Sequence, residues 1–217
     1  MIKERVEDVK RRVKEACERR GRDPSEVLIV AVSKGFGERE IREAFEAGIR
    51  DFGENRVQEA RSKIPLLNDL PIRWHMVGHL QTNKVNHALR LFEVIHSIDS
   101  IRIAEAINKR AERKIPVLLE VNISGEGTKF GFKPEDVFDA YRKLRDLENL
   151  EIIGLMGMAP FVENPEDARP FFRKLREIRD KLGLKELSMG MTQDFEVAVE
   201  EGATILRIGR AIFGERG

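Results

Sequence analysis

One lysine stands where an amine can do covalent chemistry. Lys34 ends the run Leu28-Ile29-Val30-Ala31-Val32-Ser33 and precedes Gly35-Phe36-Gly37. An apolar run rich in β-branched residues reads as a strand covered on both faces, so Lys34 falls where a buried strand opens into a loop. An amine partly shielded from water at such a place can attack an aldehyde and form a Schiff base. Taken alone, the segment also allows a strand-end lysine that merely reaches solvent. A second group lies in the last quarter of the chain. Ser188-Met189-Gly190-Met191-Thr192 leads from a strand into a helix whose expected N-cap is Thr192, and Arg207-Ile208-Gly209 ends the next strand. Free N–H groups at a helix start, a hydroxyl and a glycine that permits close approach form a cradle for a phosphate. A structural turn would use the same residues, but an amine on the first strand beside an anion cradle on the last two is more specific.

These residues need a scaffold that makes first and last strands neighbours. Candidate strands are Leu28–Val32, Ile49–Gly53, Trp74–Gly78, Val94–Ile98, Val117–Ile123, Ile152–Met158, Leu187–Met191 and Ile205–Ile208. Helical patterns fall near Glu38–Ala47, Val57–Leu67, Thr82–Leu91, Ile101–Arg113, Pro134–Leu147, Pro165–Leu182 and Gln193–Glu201, after an opening helix striped by Val6, Val9, Val13 and Ala16 or Cys17. Ser100 and Asn164 suit N-caps, and Gly183 and Gly202 suit C-terminal stops. Eight β-units alternating with helices predict a single α/β domain over 1–217. Its expected form is a (β/α)8 TIM-type barrel with one additional N-terminal helix, and an open doubly wound sheet is the alternative. In such a barrel the working groups gather at the C-terminal ends of the strands.

Composition limits the partners. Of 217 residues, 41% are hydrophobic and 35% charged, with 38 acidic against 39 basic side chains, so there is no overall field for nucleic acid or an anionic membrane. No apolar stretch has the length of a membrane span, and Met1 to Arg12 is too charged for a signal peptide. A single cysteine, Cys17, fits a reducing cytoplasm and reads as an idle or buried thiol. Abundant Glu, Lys and Arg beside three Gln point to a heat-stable protein.

Several short segments then recur in the order of one known family. They are Ala31-Val32-Ser33-Lys34, Phe52-Gly53-Glu54-Asn55 with Val57-Gln58-Glu59, and His75-Met76-Val77-Gly78-His79-Leu80-Gln81-Thr82-Asn83-Lys84. His96-Ser97-Ile98-Asp99, Lys129-Phe130-Gly131, Leu155-Met156-Gly157-Met158, Leu187 to Thr192 with Asp194, and Arg207-Ile208-Gly209 with Ala211 to Gly214 complete the set. Over nearly its whole length the chain resembles the pyridoxal phosphate homeostasis proteins (the YggS/PROSC family). The resemblance implies a fold type III barrel like the N-terminal domain of alanine racemase, with pyridoxal 5′-phosphate (PLP) on Lys34. It further implies that Ser188 or its neighbours, Thr192 and Gly209 hold the phosphate, that Arg207 faces the pyridine nitrogen and that Asn55 lies beside the ring. Two positions depart from the family's usual pattern. Thr192 replaces a frequent serine, and Arg210 stands where a small hydroxyl residue is common, either adding charge to the phosphate or pointing outward.

The same residues favour binding over turnover. An arginine opposite the ring nitrogen disfavours its protonation, which weakens the ring as an electron sink. A racemase of this type also needs a second proton carrier, and the one tyrosine, Tyr141, lies in an outer helix. The leading expectation is a monomeric intracellular holder of PLP that supplies PLP-dependent apoenzymes. A low-activity amino-acid racemase, with His75 or His79 as the acid or base, is the alternative, and a phosphate-ligand scaffold without Schiff-base chemistry is a third reading. The two histidines, four residues apart on a strand, are too distant to share a metal unless the chain turns at Gly78.

Overall fold

The computed structural model describes residues 1–216. Its elements run α1 (Ile2–Arg19), β1 (Leu28–Val32), α2 (Glu38–Glu46), β2 (Asp51–Glu54), α3 (Val57–Lys63), β3 (Arg73–Met76), α4 (Val85–Leu91), β4 (Val94–Ile98) and α5 (Ile101–Arg110). The second half follows with β5 (Ile115–Glu120), α6 (Val137–Leu144), β6 (Leu150–Met156), α7 (Arg169–Leu182), β7 (Glu186–Ser188), α8 (Phe195–Glu200), β8 (Ile205–Ile208) and the short α9 (Arg210–Phe213). All eight strands are parallel and close into a barrel in sequence order, which removes the open-sheet alternative. Closure runs through β1 and β8, paired from Leu28 with Ile205 to Ala31 with Ile208.

Each helix turns an apolar stripe toward the outer face of the barrel, and the main core fills that annulus with residues such as Phe52, Phe92, Phe172 and Phe195. Inside the barrel, Val30, Val94, Leu118, Met156 and Ile205 form a smaller apolar layer. The opening helix stands in the outer ring between α8 and α2. The helix α9 that follows β8 has four residues, and α1 packs against α8, α9 and α2 across the closing seam. Its buried stripe is Ile2, Val6, Val9, Val13, Ala16 and Cys17, so the thiol is a packing group, and burial pushes its pKa up.

Local signals act as their chemistry dictates. Ser100 Oγ accepts from Ile103 N at 3.2 Å and Asn164 Oδ1 from Glu166 N at 3.1 Å, capping the segments that follow. Gly183 ends α7 in the left-handed region at φ 70°. Most element ends differ from the sequence expectation by one to a few residues, strands β1, β4 and β8 excepted, and three of the differences are instructive. The seventh strand stops at Ser188 rather than Met191, because Gly190 turns the chain at φ +105°, where an added Cβ would lie 2.7 Å from Ala198 Cβ. The sixth helix is Val137–Leu144, shorter than Pro134–Leu147. The eighth begins at Phe195 with Asp194 in the N-cap position, so Thr192 is not its cap.

Candidate functional site

The loop carrying Lys34 is a tight turn. Phe36 N donates to Ser33 O at 2.9 Å, and Gly35 adopts φ +82°, the left-handed geometry that the third residue of a type II turn requires. Side chains from β2 and α3 hold both flanks. Lys63 Nζ donates to Ser33 O at 2.7 Å, Gly35 N donates to Glu59 Oε2 at 2.8 Å, and Ser33 Oγ donates to the buried Glu54 carboxylate. Lys63 pairs with both Glu54 and Glu59, which neutralises part of the charge buried there. Burial still raises the Glu54 pKa to about 7, against the lowering effects of Lys63 and Ser33. The Lys34 amine itself has no hydrogen-bond or ion-pair partner among the described residues.

A cavity of about 260 Å³ opens at this amine, at the C-terminal end of the barrel. Its walls include Lys34, Asn55, Thr192, Arg207, Gly209 and Arg210, and its apolar surface comes from Val32, Val77, Met158 and Met191. Five of the six residues singled out as binding candidates therefore meet at one cavity. The sixth, Ser188, does not line it. Its hydroxyl lies beneath, accepting from Arg207 Nη1 at 2.6 Å and contacting His96 Nδ1 at 2.9 Å. Sequence order alone did not reveal this, because the strand ends at Ser188 and the cavity loop begins only beyond it.

Arg207 is 4% exposed, and a second donor, Nη2, reaches Gly157 O at 3.1 Å. Among the described residues no carboxylate forms an ion pair with it, and burial lowers its pKa to about 10, leaving the guanidinium charged at neutral pH. A buried cation that lines a cavity and has no carboxylate in ion-pair contact among the described residues suits an electron-rich ring nitrogen or an anion. Thr192 Oγ1 accepts from Ala211 N at 3.1 Å and so ties the loop after β7 to α9. At Gly209 a Cβ would approach Val32 O to 3.3 Å, so a side chain there would intrude between the first and last strands. Arg210 lines the cavity while exposed and lies 3.6 Å from Glu215, between the two alternatives the sequence left open.

Residues that sequence reading did not single out surround this set. Phe36 stacks on Phe213 with centroids 5.1 Å apart, and Gln193 and Arg216 complete the rim. The two histidines separate: His79 contacts Asp99 at 2.7 Å and stacks on Phe130, whereas His75 lies inside the barrel beside Asp51 and His96. Tyr141 is on α6, partly buried against the outer core. The available signal for the interior set was a histidine within each of the largely apolar runs of β3 and β4, since a barrel lumen receives every second side chain of a strand.

The residues fit an aldehyde-bearing phosphate cofactor on their own chemistry. An amine with no partner among the described residues, a hydroxyl, a glycine, a buried cation and apolar side chains share one cavity. Comparison with known proteins agrees with the architecture. The family model "Alanine racemase, N-terminal domain" matches residues 6–217. A pyridoxal phosphate homeostasis protein of Aquifex aeolicus is 46% identical, covering 98% of this chain and 97% of its own, and one of Pseudomonas aeruginosa is 41% identical over 99% and 96%. The structure of PipY from Synechococcus elongatus with PLP bound superposes with a TM-score of 0.86 at 36% identity, covering 99% of this chain and all of PipY. Alanine racemase of Clostridium difficile, 16% identical with a TM-score of 0.70, shares the fold over 55% of its length.

Proposed function

This chain belongs to the pyridoxal phosphate homeostasis family, and from that membership we propose that it holds PLP on Lys34 as a Schiff base and yields it to other enzymes. PLP is the cofactor. The observation that carries the reading is the cavity in which a Lys34 amine with no partner among the described residues, the Thr192 and Gly209 loops and the Arg207 guanidinium converge. When bound, the cofactor supplies an aldehyde able to link to an amine. The chain's residues do the rest. Lys34 provides the amine, Thr192 and Gly209 border the phosphate, Asn55 flanks the ring, and Arg207 presents donors that cannot accept a proton from the pyridine nitrogen. Ser188 contributes through Arg207 rather than by touching the phosphate.

The whole chain, 1–217, works in this reading as one cofactor-binding unit, as a monomer and in the cytoplasm. Among the described residues no helix is long and apolar enough to cross a membrane. Turnover is not its main task. Arg207 withholds the carboxylate partner that would keep the ring nitrogen protonated, and Tyr141 sits on an outer helix.

Borohydride reduction of the PLP-loaded protein followed by peptide mapping tests the assignment. The label is expected on Lys34, with the yellow absorption lost, and Lys34→Ala is expected to remove the stoichiometric adduct. A reducible adduct of equal stoichiometry in Lys34→Ala would refute the assignment. Exchange of amino-acid α-protons with deuterated solvent separates holder from racemase: robust exchange that depends on Lys34 would favour the racemase.

A further inference from the structure

A line of polar groups crosses the barrel interior from one mouth to the other. Asp51 opens β2 at the N-terminal rim, where it lines a surface pocket with Lys10, Leu28 and Arg50. Its Oδ1 lies 2.7 Å from His75 Nε2, His75 Nδ1 lies 2.9 Å from His96 Nε2, and His96 Nδ1 lies 2.9 Å from Ser188 Oγ. Ser188 Oγ accepts from Arg207 at 2.6 Å, and Arg207 lines the cavity at the C-terminal rim. All five residues are buried, in a lumen shared with an apolar layer of Val30, Val94, Leu118, Met156 and Ile205 and with the buried Glu120.

We propose that Asp51, His75, His96 and Ser188 are positioning residues for Arg207, joined in a chain that donates in one direction only. Arg207 N–H donates to Ser188, Ser188 O–H to His96 Nδ1, His96 Nε2–H to His75 Nδ1, and His75 Nε2–H to Asp51. The two ends dictate the order. Arginine has no acceptor and an ionised carboxylate has no donor, while a neutral imidazole has one of each. Fixing the proton on His75 Nε2 beside Asp51 leaves Nδ1 as an acceptor, which fixes His96 in turn and then turns the Ser188 proton inward. His96 touches no carboxylate and lies beside Arg207, so a charge on that ring would be uncompensated and it is neutral; with His75 in its neutral form as well, Asp51 accepts at the end of the line. Consistently, burial, His75 and Arg207 push the His96 pKa well below 6.5. Hydrogen bonds in such a series polarise one another, so a change at the Asp51 end is felt at Arg207.

The assignment of the cavity to PLP underlies only the ligand half of the test, because the tautomers can be read without ligand. In the full chain labelled with 15N-imidazole, His75 and His96 are expected as neutral Nε2–H tautomers at neutral pH. An imidazolium or an Nδ1–H tautomer at either ring would overturn the proposal. Asp51→Leu, which removes the terminal acceptor, is expected to shift the His96 resonances, move the absorption band of bound PLP and weaken PLP binding about tenfold. Asp51→Asn keeps an acceptor oxygen and is expected to restore the Nε2–H tautomers and most of the affinity. A purely structural role would not give that split between Leu and Asn. If Asp51→Leu does not fold, Ser188→Ala carries the test from the other end, with loss of the His96 Nδ1 hydrogen bond and the same band shift expected. Unchanged His96 resonances and an unchanged bound-PLP spectrum in folded Asp51→Leu or Ser188→Ala would also overturn it. Failure of the wild-type protein to bind PLP would instead count against the binding reading, and the tautomer result would stand.

Discussion

Single residues carry the charge balance of the lumen, and their burial has consequences that titration can read. Glu120, at the end of β5, has its pKa raised to about 7, first by burial and then by Asp99, with Arg207 opposing. Its unfolded-state value is near 4.5, so between the two values the folded chain binds more protons than the unfolded one. Stability from this group therefore falls as pH rises through that window, and Glu54 acts in the same sense. Thermal melts at about pH 5 and about pH 8 are expected to show a smaller difference in Glu120→Gln than in wild type, with a gain at the higher pH of roughly 1–3 kcal/mol. A larger pH dependence in the variant would contradict the burial argument. Glu120 had no visible motif. It looks like any strand-end carboxylate until closure of the barrel encloses it.

At the scale of elements, the reactive amine depends on how β1, β2 and α3 meet. Lys63 is the keystone of that junction, contacting Ser33 O, Glu54 and Glu59 from the last turn of α3. Lys63→Met keeps the length of the side chain but leaves Glu54 buried without its cation, which costs about 3–5 kcal/mol when a buried pair is broken. The expected result is a melting temperature lower by about 10 °C and a slower reaction of Lys34 with PLP. A variant as stable as wild type would show that the Glu54–Lys63 pair is dispensable. The sequence signalled the element order well, since strands β1, β4 and β8 match their expected ends residue for residue. It missed the ends of β7 and α8 because Gly190 acts through tertiary packing and Asp194 through a carboxylate that accepts from Met191 N in the preceding loop, and neither shows in the hydrophobic period.

The molecule as a whole is a ring in which the opening helix stands between α8 and α2. Arg12 to Glu196 and Arg19 to Glu200 tie α1 to α8, and Arg169, Arg173 and Arg176 converge on Glu201. A network of this kind suits stability at high temperature, so a wild-type melting temperature above the common mesophilic span of about 45–65 °C is expected in calorimetry. Val9→Asp, which puts a carboxylate under α1 at the β1–β8 seam, is expected to lower it by more than about 10 °C and to weaken PLP binding in parallel. Binding that survived with the seam loosened would separate the cavity from the closure. The sequence by itself determined the alternation of strands and helices, the candidate amine and the loops that could cradle a phosphate, because those features are local in period and composition. Only the tertiary structure decided that Ser188 faces Arg207 instead of the cavity, that His75 and His96 share one hydrogen-bonded line, and that α1 stands between α8 and α2. Each depends on which side chains a closed, tilted barrel turns inward and at what height, and no local pattern encodes that.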